Sequence, residues 1–276
     1  MKTKIYVLIA AVLFLGSCSS RLVTPQFDQA DQLFTTAPVT HALLDALGLD
    51  GIYNLMIVAH PDDETIWGGR FIIEDYYFVV CLTSGFTPQE QLERPTEFRN
   101  AMNLTKSGKA LMLGNLERDV FAVGSAPAST PDPDKLAVMK QDIATIIGYK
   151  NWNVILTHGP SGESGHNHHV RTHEIVTEIV AGLNRKYALY YFIYNPIATG
   201  ETFESQVLRL NRGTGPFVQF HSHATQTNPT MSAETYYRML EILEQFTTQG
   251  GAIQAFIAGY PFQEKISANM ALNNSD

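Results

Sequence analysis

The sequence is poor in cysteine, in charge and in basic clusters, and each scarcity excludes a class of protein. Only two cysteines, Cys18 and Cys81, occur in 276 residues, too few for a fold held by a disulfide framework. No apolar run reaches the roughly 20 residues that a membrane-spanning helix needs. Charged residues make up 17%, the formal net charge is −8, and lysine and arginine never cluster. A surface of that sign repels phosphate backbones, so nucleic acid is excluded as a partner. Internal repeats and low-complexity tracts are absent as well, and 20 glycines with 13 prolines fit no collagen-like or linker-dominated class. What the chain does have is apolar substance. At 45% hydrophobic residues it can bury the core of one large domain or two small ones.

The first residues read as a targeting segment. Lys2 and Lys4 precede an apolar run from Ile5 to Leu15, eleven residues long, which fits a secretory signal better than a transmembrane helix. Leu15-Gly16-Ser17-Cys18 closes that run and resembles a bacterial lipobox. The resemblance implies cleavage before Cys18 and attachment of lipid to its sulfur; a plain signal peptide with a nearby cysteine is the alternative. Residues 1–17 are therefore expected to be a lipoprotein signal peptide, 18–40 a polar tether, and 41–276 a single globular domain. The processed chain carries 17 basic and 27 acidic residues, a formal charge of −10. With Cys18 lipidated, Cys81 has no partner and no disulfide is expected. The expected location is the bacterial envelope, periplasmic or anchored in the outer membrane, with the lipid as the chain's contact with the membrane.

Along the body, short apolar runs alternate with helical patterns. Asn54–Ala59, Tyr76–Thr83, Asp119–Val123 and Asn153–Thr157 read as strands buried on both faces. Leu136, Met139, Ile143, Ile146 and Ile147 recur at helix spacing behind Pro133, and further helices are expected from Asn167 to Leu183 and from Ser232 to Phe246. This alternation predicts an α/β fold, a mostly parallel, Rossmann-like sheet with helices on both faces. Ligands of such sheets sit beyond the carboxyl ends of the strands.

Two clusters stand at such ends. His60-Pro61-Asp62-Asp63-Glu64 follows the first buried strand. Its imidazole and three carboxylates suit a divalent cation such as zinc, although acids here would equally meet the dipole of a following helix. The second cluster, His158-Gly-Pro-Ser-Gly-Glu163-Ser-Gly-His166-Asn-His168-His169-Val-Arg-Thr-His173, holds five of the nine histidines. Helical spacing lines up His166, His169 and His173 on one face. His168 points elsewhere on that spacing and is read as a hydrogen-bonding surface residue.

The segment MIVAHPDDETIWGG resembles the signature of the PIG-L/LmbE-like family of zinc-dependent N-acetylglucosaminyl deacetylases, and THGPSGESGHNHHVRTH is similar to that family's second signature. The likeness runs from Leu55 to His173, with a weaker echo at His223-Ala-Thr-Gln226. It implies a zinc ion held by His60, Asp63 and His169, with Asp62 as general base and His166 facing the developing oxyanion. It further implies contact of Arg94 and His223 with an N-acetylated amino-sugar substrate, and loss of the acetyl group by hydrolysis. The proton for the leaving amine then comes from Asp62 or from His166 as imidazolium. Two departures stand out. His168 occupies a position where many members have an aspartate that supports the residue at His166. The aspartate that members carry after the third strand has no counterpart in the loop 124–131, where only Asp132 or Asp134 could replace it.

Other residues near the motifs carry plainer readings. Glu64 caps the next helix or orients His60. Thr83-Ser84-Gly85 is a turn near the site or an ordinary strand end, and Trp67, Gly68 and Gly69 are structural. His221 and His223 lie in a segment of alternating faces, and Tyr187–Tyr194 reads as a core strand. Two further readings compete with the amino-sugar deacetylase: an amidase on another N-acyl substrate, and a non-catalytic carbohydrate-binding lipoprotein.

Overall fold

The computed structural model describes residues 32–121, 131–160, 162–183, 188–192, 233–251 and 253. Six strands form one sheet: β1 (Gln32–Thr35), β2 (Asn54–Val58), β3 (Tyr77–Gly85), β4 (Ala110–Leu116), β5 (Val154–Thr157) and β6 (Leu189–Tyr191). They stand in the order β1-β4-β3-β2-β5-β6, and every pairing is parallel. The chain thus builds outward from β2 on one side through β3 and β4, then returns to add β5 and β6 on the other. β2 and β5 flank the point where the winding reverses, and a crevice opens at their carboxyl ends.

The unbroken apolar runs have a direct cause. Leu55 and Ile57 of β2, with Phe78 and Val80 of β3, face one core; Met56, Val58, Val79 and Cys81 face a second. Helices α1 (His41–Ala46), α6 (Pro133–Tyr149) and α8 (Asn167–Gly182) cover the first core through Leu44, Ile143, Ile146 and Val176. Helices α3 (Gly69–Glu74), α4 (Glu90–Met102) and α9 (Ala233–Leu243) cover the second through Ile72, Phe98, Met239 and Ile242. A strand buried on both faces cannot alternate polar with apolar, because both side-chain directions meet a core. Each such fully buried aliphatic residue contributes about 1.5–3 kcal/mol of transfer free energy.

Three expectations need correction. The segment 18–40 is not all tether: Gln32–Thr35 pairs with Ala110–Leu113 as an edge strand, and Val39 is buried with its amide on Asp142 Oδ1 at 2.7 Å. Secondly, residues 119–121, the described part of the expected strand Asp119–Val123, form no strand. The strand lies earlier, at β4, and Glu117–Val120 forms the short helix α5. Gly114 sits within the strand, at a place where a Cβ would collide with Thr36 Cγ2. Thirdly, Asp132 is no substitute for a site carboxylate, since its side chain caps α6 by accepting from the amides of Asp134 and Lys135. The first acid after β4 is Glu117. Among the described residues Cys81 is buried and free.

Candidate active site

The loop after β2 turns sharply into the short helix α2 (Asp63–Ile66). Asp62, at the turn, has φ 119° and ψ −30°, a conformation that non-glycine residues rarely adopt and that concentrates at functional sites. The turn is held from both sides. Glu64 reaches back to the amide of Asp62 at 3.1 Å, so it caps the helix and does not orient His60. Arg94 of α4 donates from Nη2 to the carbonyl of Pro61 at 3.1 Å. Asp63 turns inward. Its Oδ2 accepts from the amide of His60 at 2.8 Å and lies 3.0 Å from His60 Nδ1, while its Oδ1 accepts from Trp67 Nε1 at 3.1 Å. Among the described residues no hydrogen bond holds the carboxylate of Asp62, whose Asp63 neighbour is fixed by three.

The loop after β5, which includes the short helix α7 (Gly162–Gly165), supplies the facing wall. His158 is fully buried, with Nε2 accepting from the amide of Ala59 at 3.0 Å and Nδ1 lying 2.8 Å from Glu163 Oε2. The same Glu163 oxygen is 2.7 Å from His169 Nδ1. His169, on the inner face of α8, places Nε2 at 3.2 Å from both His60 Nδ1 and Asp63 Oδ1. His166 is the N-cap of α8, exposed, with its ring 4.6 Å from that of His169 and 4.9 Å from that of His60. Behind them His173 Nδ1 donates to the carbonyl of His158 at 3.0 Å, so it supports the wall without joining the cluster.

Glu117 completes the floor. Its Oε1 accepts from Arg94 Nη1 at 2.8 Å and lies 3.3 Å from Thr83 Oγ1, and its Oε2 lies 3.8 Å from His60 Nε2. Thr83 Oγ1 also donates to the carbonyl of Ala59 at 2.8 Å, which makes the Thr83–Gly85 strand end part of the site's frame.

These contacts set the electrostatics. Burial, with Asp63 and Glu64 nearby, pushes Asp62 well above the usual carboxylate range despite the Arg94 guanidinium. Burial acts on Asp63 in the same direction, but His169, His60 and His158 outweigh it and hold Asp63 well below that range. Glu163 is likewise buried and held down by His158 and His169. His169 is disfavoured as a cation by burial, yet Asp63 and Glu163 raise it to about 10. Burial beside His60 and His169 lowers His166 to about 4. Two ionised carboxylates in a dry pocket require compensating positive charge, which either an imidazolium or a divalent cation supplies.

The donor set fits a divalent ion. Ligand atoms of His60, Asp63 and His169 lie within 4.8 Å of one another, and all three residues are buried. Two further groups, His60–His166–His168 and His158–Glu163–His169, meet the same criterion. Imidazoles with one carboxylate match the preferences of borderline-soft transition ions.

The expected residues His60, Asp62, Asp63, His166 and His169 therefore come together at the switch point. Arg94 lies beside them but is buried and engaged by Glu117 and Pro61. Cys18 and His223 lie outside the described residues. His168 differs from its expected surface role: it is 5% exposed, its Nδ1 stands 2.9 Å from His60 Nε2, and its ring stacks on Phe121 at 4.9 Å. Helical spacing measured from His166 misplaced it, because His166 is the cap and the helix starts at Asn167. Glu163, His158 and Glu117 were not singled out from sequence, although two of them stand inside the second histidine cluster.

Residues 55–180 match the sequence model of the PIG-L family, described as GlcNAc-PI de-N-acetylase. That stretch contains every described residue of the site. The chain is 28% identical over 152 residues to uncharacterized protein L374 of Acanthamoeba polyphaga mimivirus, covering 50% of this chain and 61% of that one. It is 28% identical over 162 residues to the 1D-myo-inositol 2-acetamido-2-deoxy-alpha-D-glucopyranoside deacetylase of Rhodococcus opacus (strain B4), covering 48% and 54%. The matched region thus spans little more than half the length of these curated relatives. Among solved structures, the conserved protein TT1542 from Thermus thermophilus is similar at 15% identity and a TM-score of 0.42, covering 75% of this chain and 85% of that one. The A40926 pseudoaglycone deacetylase Dbv21 is similar at 13% identity and a TM-score of 0.44, covering 77% and 87%.

Proposed function

We propose, from the premise that residues 55–180 of this chain belong to the PIG-L family of deacetylases, that it is a zinc-dependent hydrolase removing the acetyl group from an N-acetylglucosamine-type conjugate. One observation carries the reading: His60, Asp63 and His169 converge at the β2/β5 crevice, with Asp62 beside them and its carboxylate uncommitted. The substrate class draws its support from the family description and from the name of the Rhodococcus relative.

His60, Asp63 and His169 would hold the ion. Zinc there would supply Lewis acidity, which brings the pKa of a coordinated water down to about 7. The chain's own groups do the rest. Asp62 accepts the water proton at its carboxylate as the oxygen attacks the acyl carbon. His166, at the exposed cap of α8, faces the oxygen on which negative charge develops. The C–N bond then breaks, and the amine nitrogen receives the proton returned by Asp62, because His166, lowered to about 4, holds no imidazolium proton to give at neutral pH. Products are acetate and the free amino sugar. Arg94 is assigned the positioning of the Pro61–Asp63 turn, because its Nη1 and Nη2 donors are engaged by Glu117 and Pro61.

Residues 1–17 are proposed as a signal peptide and Cys18 as the lipidated residue that anchors the enzyme in the bacterial envelope, on the support of Lys2, Lys4, the Ile5–Leu15 run and Leu15–Cys18. No helix among the described residues is long and apolar enough to cross a membrane. Cys18→Ser should abolish lipid incorporation; a processed variant that still partitions with membranes would sink the anchor.

The test of function is metal content together with acetate release from a panel of N-acetylated sugars and N-acyl peptides. About one zinc per chain and turnover of the sugars are expected, with zinc lost in His60→Ala, Asp63→Ala and His169→Ala. Turnover of peptides alone would move the assignment to another amidase, and zinc-loaded protein without turnover would leave a binding protein.

A further inference from the structure

We infer that Glu163 is a positioning residue of the metal centre: one of its carboxylate oxygens takes N–H protons from both His158 and His169, which turns a bare ring nitrogen of His169 toward His60 and Asp63. The inference rests on the metal-dependent reading above.

The proton positions follow from donors that have no alternative. The amide of Ala59 can only donate, and it stands 3.0 Å from His158 Nε2, so that nitrogen carries the lone pair. The proton of neutral His158 is then on Nδ1, which lies 2.8 Å from Glu163 Oε2. Glu163 Oε1 is filled by the amide of Gly159 at 2.7 Å. An ionised carboxylate can only accept, so His169 Nδ1, 2.7 Å from the same Oε2, must also carry a proton. In the neutral ring, the form left once an arriving cation displaces the second proton, His169 Nε2 holds the lone pair, 3.2 Å from Asp63 Oδ1 and from His60 Nδ1. Only that tautomer can bind a cation there. A hydrogen-bonded carboxylate behind a ligating imidazole fixes its tautomer and raises its basicity.

The backbone points the same way. Glu163 has φ 53° and ψ −73°, between Gly162 at φ 60° and Gly165 at φ 86°. Glycine would hold that conformation with less strain, so a glutamate there is explained by its side chain. Gly159 matters too: a Cβ on it would meet the carbonyl oxygen of Phe192 at 2.6 Å, which would push its amide off the carboxylate.

Glu163→Gln is the sharp variant because an amide has one acceptor oxygen. Facing Gly159, it turns its NH₂ toward the two imidazoles and favours the His169 tautomer that cannot ligate. Facing the imidazoles, it sets N–H against N–H at Gly159. Zinc affinity of the apoprotein, measured by competition with a chromophoric chelator, should fall about 10- to 100-fold in E163Q. Unchanged affinity in folded E163Q overturns the inference and leaves the metal reading standing. Wild-type protein that binds no zinc overturns the metal reading itself. Should E163Q fail to fold, ¹⁵N NMR of the histidine rings in the zinc-loaded wild type decides: Nδ1 of both His158 and His169 should be protonated, and a bare Nδ1 on His169 overturns the proposal.

Discussion

His168 Nδ1 stands 2.9 Å from His60 Nε2, which ties the first turn of α8 to the loop after β2 across the crevice. His60 thereby has both ring nitrogens engaged, Nδ1 toward Asp63 and His169, Nε2 toward His168. With Nδ1 given to an ion, Nε2 carries the proton and His168 accepts it. A neutral imidazole is a weaker acceptor than a carboxylate, so it fixes the orientation of His60 while polarising it less.

His168→Ala should accordingly leave a buried N–H of His60 without an acceptor and weaken zinc binding about 10- to 100-fold. The stacking on Phe121 is lost as well, at about 0.5–1.5 kcal/mol of stability. His168→Asp restores a charged acceptor and should recover binding. Chelator competition reads both variants; wild-type affinity in His168→Ala would mean that His60 needs no such partner.

The Arg94–Glu117 pair makes a separate prediction about stability. Both side chains are buried, and their contact is 2.8 Å. Removing one partner strands the other's charge, so Arg94→Met should cost about 3–5 kcal/mol in denaturant unfolding. Glu117→Leu should cost a similar amount. The double variant R94M/E117L should be less destabilised than the sum, because no charge is left behind. Simple additivity of the two would show that the pair is not coupled.

The sheet and the ligand cluster were legible in sequence for the same reason. Runs such as Leu55–Val58 are apolar at every position because two cores meet there, and a parallel sheet puts its chemistry at the strand ends. Hence the two clusters could be read from their place after the strands, while the choice of His60, Asp63 and His169 within them came from the resemblance alone. The edge strand β1 could not, since an edge strand need not be apolar and Phe34 is 40% exposed. Misplacing β4 by a few residues then hid Glu117, whose position directly after the strand is what gives it meaning. Glu163 was hidden differently. Its role depends on a left-handed turn that returns its carboxylate between two imidazoles, and no periodicity reports that.

Asp142 gives a pH dependence away from the candidate active site. Burial raises its carboxyl above the ordinary value, opposed by the amide of Val39 at 2.7 Å. The folded chain then holds this proton more tightly than the unfolded chain, so ionisation opposes folding. Below the unfolded value, about 3.9, the carboxyl is protonated in both states and no penalty exists. The penalty grows as pH rises through that value toward the raised folded one, and is complete above it. Asp142→Asn keeps an acceptor for Val39 and removes the charge, so its stability advantage over wild type should widen from pH 4 to pH 7. Denaturant midpoints at the two pH values check the sign, and an advantage that narrows would contradict it.

The two residues assigned to proton and oxyanion chemistry can be separated from the metal. Asp62→Asn keeps the shape, and asparagine tolerates a positive φ better than most residues, so the turn at φ 119° should persist. Zinc content should therefore hold while kcat/KM falls about 10²- to 10⁴-fold, the usual worth of a general base. His166 needs more care, because its Nδ1 also caps α8 by accepting from the amide of His168 at 3.3 Å. His166→Ala would lose that cap as well as the imidazole, at about 0.5–2 kcal/mol of stability. His166→Asn keeps a capping oxygen and isolates the chemistry. It should retain zinc and lose about 10²- to 10³-fold in kcat/KM, as expected for one group that stabilises an oxyanion. The measurement is zinc by mass spectrometry beside acetate release for each variant. Full activity in Asp62→Asn would remove Asp62 as the base, and full activity in His166→Asn would remove His166 from the oxyanion.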